Sequence, residues 1–266
     1  MFEFENGYWW YRGLHELVGY YVVKLKKAKA DNPSESEPLK IFDAGCGTGR
    51  MMELLQPYGT VEGIDYSDDA VDLCKKRGLT DVRVGDLNTW SPPSGAYHVI
   101  ISNDVICTSG VEDDMAVAAT FYRALKPDGL LILNLPAFRA LRRKHDIAVF
   151  GKRRYRKHRT LRELKKIGFL PVRVSYRLPP LFFIMLLKKH LVERFSKKEA
   201  ESDLKPLPRL FNSFLLWMHR IENRIINAGV PLPFGSSLFL ICKRWSATTT
   251  YSGPEGPSHG ALIGAP

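Results

Sequence analysis

Cysteine is scarce: there are 4 in 266 residues, Cys46, Cys74, Cys107 and Cys242. No two stand at C-x-x-C spacing and no histidine cluster accompanies them, which leaves a zinc site without support. Thiols so widely spaced read as reduced, as expected in the cytoplasm, and so few exclude a disulfide-stapled miniprotein. Long apolar runs are missing too. The longest purely apolar run covers residues 181–187, far short of the roughly 18–20 residues a membrane span needs. The opening MFEFENGYWWYRG places Glu3 and Glu5 before its first basic residue, Arg12. A secretory leader would start basic and continue apolar. There is no internal repeat.

The rest of the composition is that of a globular protein, 45% hydrophobic and 25% charged. That excludes a wholly disordered chain and a collagen-like fibre. The length suits one large α/β domain, or one domain with a substantial insertion. The net charge of +11 is local: residues 139–166 hold 13 of the 39 basic residues and 2 of the 28 acidic ones. The remainder of the chain is balanced. So concentrated an excess points to an anionic partner.

Periodicity predicts a helix over 8–30, with Leu14, Leu17, Val18, Tyr21, Val22 and Leu25 on one side. A strand–turn–helix rhythm follows. Strands are expected at 39–44, 60–64, 82–84, 97–102 and 130–135, and helices at 48–56, 67–77 and 112–125, with Ser67 as an N-cap. This alternation predicts a parallel sheet covered on both faces. Beyond Pro136, a helix at 160–167 opens on a Thr160–Glu163 capping box, and 171–176 reads as a strand. Residues 178–235 break the rhythm. They include an amphipathic helix near 210–227, on which Phe211, Phe214, Leu215, Met218 and Ile221 share a face. A strand returns at 237–243, and the tail from Ser246, rich in Gly, Pro, Ser and Thr, reads as disordered.

The sharpest chemical signal is Ile41-Phe42-Asp43-Ala44-Gly45-Cys46-Gly47-Thr48-Gly49-Arg50. A strand ends at an acid, a glycine turn follows and a helix begins. Glycines accept φ > 0 and let a ligand approach the backbone, and open α/β sheets bind ligands at the carboxyl ends of their strands. A dinucleotide site wants G-x-G-x-x-G, but Arg50 stands where the third glycine would be. The spacing is instead D-x-G-x-G-x-G.

That arrangement resembles the first motif of class I S-adenosylmethionine-dependent methyltransferases, and the Trp-rich N-terminal helix resembles that of the small-molecule type related to ubiquinone biosynthesis. Four further pieces follow in order. Asp65 in VEGIDYS matches the acid that binds the cofactor's ribose hydroxyls, and a carboxylate can accept from both hydroxyls of a diol. Gly85-Asp86-Leu87 matches the turn around the adenine. YHVIISND, ending at Asn103 and Asp104, resembles the fourth motif, and LKPDGLL the turn before the fifth strand, with Asp128 in place of a glycine. The resemblance implies S-adenosylmethionine as cofactor. It implies contacts to it from Asp43, Gly45, Cys46, Gly47, Gly49, Asp65, Tyr66, Asp86, Leu87 and Asn103. The N-terminal Tyr8-Trp9-Trp10-Tyr11-Arg12 either staples a helix to the core or forms a lid. In the lid reading Trp9 covers the cofactor and Arg12 pairs with its carboxylate.

The implied fold is Rossmann-like α/β: seven strands, mostly parallel, the last antiparallel, with a helical insertion before it. The segments are a helical lid at 1–38, a cofactor-binding core at 39–177, an insertion facing acceptor or membrane at 178–235, a final core strand at 236–245 and a tail at 246–266. Methyl transfer to oxygen or nitrogen requires alignment and removal of a proton. His145, followed by Asp146 to orient it, is the candidate base, and Arg153, Arg154 and Tyr155 are candidates for an anionic group on the acceptor. His98 lies inside a strand and reads as structural.

The expected partner is a small or lipid-linked acceptor, with peripheral contact at a membrane surface and no transmembrane segment. An RNA methyltransferase using 139–166 is the rival enzyme reading. Sparse aromatics in that stretch weigh against nucleic acid. A non-catalytic, membrane-surface protein with a vestigial pocket is the rival from another class. The helix at 210–227, with Trp217 near basic residues, suits an interfacial position.

Overall fold

The computed structural model describes residues 2–31, 37–189 and 206–245, with only the backbone of Lys144 and His145. Residues 190–205 of the expected insertion and the tail from Ser246 lie outside the described residues.

Seven strands form one sheet in the order β3-β2-β1-β4-β5-β7-β6. They are β1 (Leu39–Ala44), β2 (Gly59–Asp65), β3 (Val82–Val84), β4 (Tyr97–Asn103), β5 (Leu125–Pro136), β6 (Phe169–Arg177) and β7 (Ser237–Arg244). The first five run parallel, and β7 inserts antiparallel between β5 and β6. The helices are α1 (Trp9–Ala30), α2 (Arg50–Leu55), α3 (Asp68–Lys76), α4 (Asp114–Ala124), α5 (Lys144–Ala148), α6 (Lys157–Ile167), α7 (Pro179–Lys188) and α8 (Arg209–Asn227).

Both faces of the sheet are covered, so its central strands are apolar at consecutive positions. Neighbouring residues serve opposite layers. Ile41, Val99 and Phe239 pack with α1 and Met52 on one side. Phe42, Ile100 and Leu240 pack with Trp90 and Phe121 on the other. Trp90 stacks on Phe42 with ring centroids 4.2 Å apart. Strand order reverses between β1 and β4, which opens a crevice at their carboxyl ends, the place where such sheets bind ligands.

Two local expectations are corrected. The strand expected at 130–135 begins at Leu125, because Leu125 already pairs with Tyr97 ahead of a bulge. The Thr160–Glu163 capping box does not form. α6 starts a turn earlier at Lys157, so Thr160 lies inside it, donating to Arg156 O at 3.0 Å, and Glu163 pairs with Lys166. On α8 the apolar face shared by Phe211, Phe214, Leu215, Met218 and Ile221 lies outward or at the flank. The inward side carries Leu216, His219, Glu222, Asn223 and Ile226, while Phe211, Phe214 and Trp217 are exposed.

Arg177 at the end of β6 explains that orientation. It is fully buried and donates to Asn134 Oδ1 at 3.0 Å and to His219 Nε2, with Glu222 Oε1 3.7 Å from its Nε. Burial and the Arg177 charge push the His219 pKa well down. The ring is neutral, accepts at Nε2 and carries its proton on Nδ1, facing Trp9 O at 3.4 Å. A buried guanidinium requires anionic and polar partners, and α8 turns its polar side inward to supply them.

Candidate functional site

The glycine loop joins β1 to α2. Gly45, Gly47 and Gly49 have φ of 82°, 54° and 85°, a region that side chains resist. A Cβ at Gly45 would meet Val105, and one at Gly49 would meet Leu79 and Cys74. The loop is pinned by Gly45 and Cys46 N–H groups donating to Ile64 O at 2.8 and 3.0 Å. Cys46 is buried; its Sγ lies against Gly63 beneath the loop.

Asp65 ends β2 beside this loop. Its Oδ2 accepts from Gly47 N at 2.8 Å and its Oδ1 from Ser67 N at 3.0 Å. Each oxygen keeps a further lone pair, the arrangement a vicinal diol would use. Tyr66 follows, fully open at 80% exposure. Asp86 Oδ1 accepts from Asn88 N and Nδ2 at 2.9 and 2.7 Å, and Leu87 is buried. At the end of β4, Asn103 Oδ1 is buried with no hydrogen-bond partner among the described residues. An orphaned acceptor of this kind wants a donor from elsewhere.

The site is acidic. Asp43 is buried, and that burial, with Asp65 and Glu5 nearby, pushes its pKa up to about 7. Such a cluster favours a ligand that carries positive charge.

The N-terminal segment closes over the loop. Glu5 accepts from Thr48 Oγ1 and pairs with Arg77 at 2.5 Å, while Arg77 lies under the Phe2 ring. The Tyr11 hydroxyl sits among acids: burial, then Glu5 and Asp104, push its pKa up to about 12. Trp9 turns toward α8, its backbone N–H donating to Asn212 Oδ1 at 2.9 Å and its ring set edge-on to His219 at 5.6 Å. The Arg12 guanidinium has no hydrogen bond or ion pair among the described residues.

Asp104 carries a signal that the sequence reading passed over. It follows β4 with a φ of 58°, rare for a residue with a side chain. Asn134 Nδ2 donates to its Oδ2 at 2.7 Å. Burial raises its pKa to about 6, against the lowering effects of Asn134, Arg177 and Arg154. Its motif was visible in the sequence, but its partners lie on β5, β6 and α1.

Asp146 and the candidate acceptor residues are engaged within the protein. Asp146 accepts from Arg154 Nε at 2.8 Å and from Arg143 N at 2.8 Å, so its carboxylate fastens a loop. The side chain of His145 lies outside the described residues. Arg153 donates to Val111 O at 2.8 Å and to Thr108 O and Glu112 O. Arg154 also reaches Ala137 O, and Tyr155 donates to Asp114 at 2.7 Å. Arg153 and Tyr155 tie the segment after β5 to α4 and the turn before it, while Arg154 braces that segment internally. Their polar groups are spent on the protein, which takes them away from an acceptor.

A surface cavity of about 540 Å3 lies between Lys26, Leu39 and Tyr58. It is at the opposite, amino-terminal end of the strands and plays no part in this site.

Residues 41–129 match the family model described as a methyltransferase domain. A trans-aconitate 2-methyltransferase of Mycolicibacterium gilvum is 39% identical over 70 residues, covering 25% of this chain and 27% of that protein. A malonyl-[acyl-carrier protein] O-methyltransferase of Halalkalibacterium halodurans is 29% identical over 130 residues, 45% of each. The chain therefore spans less than half the length of these relatives. An S-adenosylmethionine-dependent methyltransferase structure from Archaeoglobus fulgidus superposes with a TM-score of 0.51 at 17% identity, covering 84% of this chain and 94% of that one. That likeness shows the fold. The methyltransferase-domain match over residues 41–129 and these relatives support a class I S-adenosylmethionine-dependent methyltransferase, whose cofactor suits an acidic cradle with an orphaned acceptor.

Proposed function

We propose that the protein methylates a small or lipid-linked acceptor whose reacting oxygen or nitrogen carries a proton. The observation that supports this most is Asp104. It is a strained carboxylate on the same rim as the glycine loop, under the lid tyrosine Tyr11. Relatives named for trans-aconitate and malonyl-[acyl-carrier protein] favour a small-molecule acceptor. An anionic part of that acceptor would lie outward, toward the exposed Arg139 and Arg142.

S-adenosylmethionine, when bound, supplies an electrophilic methyl group on a sulfonium. The protein's share is to hold, to align and to take a proton. Asp65 would accept from the ribose hydroxyls, Asn103 Oδ1 from a donor on the cofactor, and Arg12 would pair with its carboxylate. Asp104 would take the acceptor's proton at Oδ1, with Asn134 fixing its other oxygen. The α1 lid would exclude water.

The test is transfer of a labelled methyl group to a panel of phosphorylated and lipid-linked alcohols and amines, beside calorimetry of cofactor binding. Asp104→Asn should lower kcat by about 100-fold or more with cofactor affinity kept. The wild-type rate should rise through about pH 6, where Asp104 ionises, and the variant should lose that limb. Asp65→Ala should lose cofactor binding. Undiminished turnover by Asp104→Asn would overturn the role of Asp104. Absence of cofactor binding in the wild-type protein would overturn the function.

A further inference from the structure

Three segments leave the same rim of the sheet as the site. Residues 137–155 follow β5. α7 follows β6, which runs parallel to β5 because both are antiparallel to β7. α8 leads into β7, whose first residue Ser237 pairs with Pro136 and Arg177 at that rim. They are joined there: Phe138 meets Phe182 with centroids 5.4 Å apart, Lys189 Nζ donates to Ala140 O at 2.7 Å, and Leu178 N donates to Glu222 at 2.8 Å.

Of the 17 exposed large apolar side chains described, 11 lie on these three segments. The first presents Ile147 and Phe150, the second Phe183 and Leu187, the third Leu210 and Trp217. Leu210 is 87% exposed and Phe150 73%. Phe150 is held at a φ of 56°, a strained conformation for a bulky residue. Strain of this kind persists where it has a use, and here it holds an aromatic ring out in water. α8 is the plainest case. Its polar side is buried around Arg177 and its aromatic side faces out.

Charge selects the partner. Arg142, Lys152, Lys188 and Arg209 are exposed among these rings. Residues 178–189 and 206–221 contain no acid, and the one acid of 138–156, Asp146, is buried against Arg154. Apolar side chains ringed by cations, with acids withdrawn, match the chemistry of an anionic phospholipid surface. Among the described residues no helix is long and apolar enough to cross a membrane, so the contact is peripheral. We propose that this rim docks onto an anionic phospholipid membrane, with α7, α8 and the Phe150 tip entering the interface and the site mouth facing the lipid. The proposal does not depend on methyl transfer, because its readout is sedimentation.

The full chain would be spun with vesicles of phosphatidylcholine alone and of an equimolar mixture with phosphatidylglycerol. Binding to the mixed vesicles is expected, weakened by salt and far above binding to phosphatidylcholine. Joint replacement Phe214→Ser and Trp217→Ser should weaken it by roughly tenfold or more. These side chains are exposed, so the melting temperature and cofactor affinity should stay unchanged. Arg142→Glu should weaken binding to the mixed vesicles. No binding to either vesicle, or binding indifferent to these substitutions, overturns the proposal. So does a concentration-dependent dimer abolished by Phe214→Ser and Trp217→Ser without vesicle binding, which would assign the face to a second copy.

Discussion

Asp43 is the residue whose ionisation the cofactor should control. Burial is the first cause of its raised pKa, about 7, and the carboxylates of Asp65 and Glu5 are the next. In the unfolded chain it ionises at the usual carboxylate value. Between that value and about 7 the folded protein holds a proton that the unfolded chain has lost, so stability without cofactor falls as pH rises through this window. A ligand carrying positive charge favours the ionised carboxylate. S-adenosylmethionine should therefore bind more tightly as pH rises through 7, by at most about tenfold per pH unit below it, with release of a proton. Calorimetry in buffers of different ionisation enthalpy reads that proton, and Asp43→Asn should flatten the dependence. An affinity that stays level between about pH 6 and 8 would sink this account. The glycine loop and the acids beside it were legible in the sequence because their motif is local, a strand end and a turn a few residues apart. The surroundings of Asp104 were not. Asp104 owes its raised pKa to burial, set against Asn134, Arg177 and Arg154, and Arg153 and Arg154 looked available for an anion until the loop before α4 took the donors of the first and Asp146 and Ala137 those of the second.

At the scale of elements, the contact between α1 and α8 rests on a missing side chain. A Cβ on Gly13 would sit on the His219 ring, and Asn223 Nδ2 donates to Gly13 O at 2.8 Å. Gly19, further along the same helix, has nothing within 4 Å of such a Cβ. Helix propensity alone favours alanine at either place by roughly 0.5–1 kcal/mol. Gly19→Ala should therefore raise stability by about that amount. Gly13→Ala should lower it by about 1–3 kcal/mol, since overpacking must move His219 and with it the Arg177 network. Denaturant unfolding of the pair decides this, and stabilisation by both would mean that α8 does not press on α1. Strands and helices of the core were readable because hydrophobic period and glycine punctuation are written within each segment. The facing of α8 was not. Its periodicity marks an apolar stripe, but which side turns inward is set by a buried arginine on β6, supplied some forty residues earlier in the chain. α6 shows the same limit on a smaller scale, where a plausible capping box lost to a helix start at Lys157.

Across the whole molecule, the N-terminal segment, the glycine loop and α8 are linked by a chain of bonds. Glu5 ties the N-terminal segment to Thr48 of the glycine loop and to Arg77 just after α3. Trp9 ties α1 to Asn212 and His219 of α8. Arg177 and Asn134 carry that connection back to Asp104 at the site. A cofactor that settles on the loop should therefore slow opening well away from its own contacts, because lid and α8 cannot lift without breaking these buried bonds. Hydrogen exchange with and without S-adenosylmethionine reads this directly. Slower exchange is expected at 43–50 and 63–67, where contact is direct, and also at 9–13 and 212–223, where it is not. Glu5→Gln removes the ion pair to Arg77 and should uncouple the two regions, leaving protection at the loop while that at 212–223 falls toward the unliganded rate. Protection confined to the loop and β2 in the wild-type protein would show the lid and α8 moving independently of the cofactor.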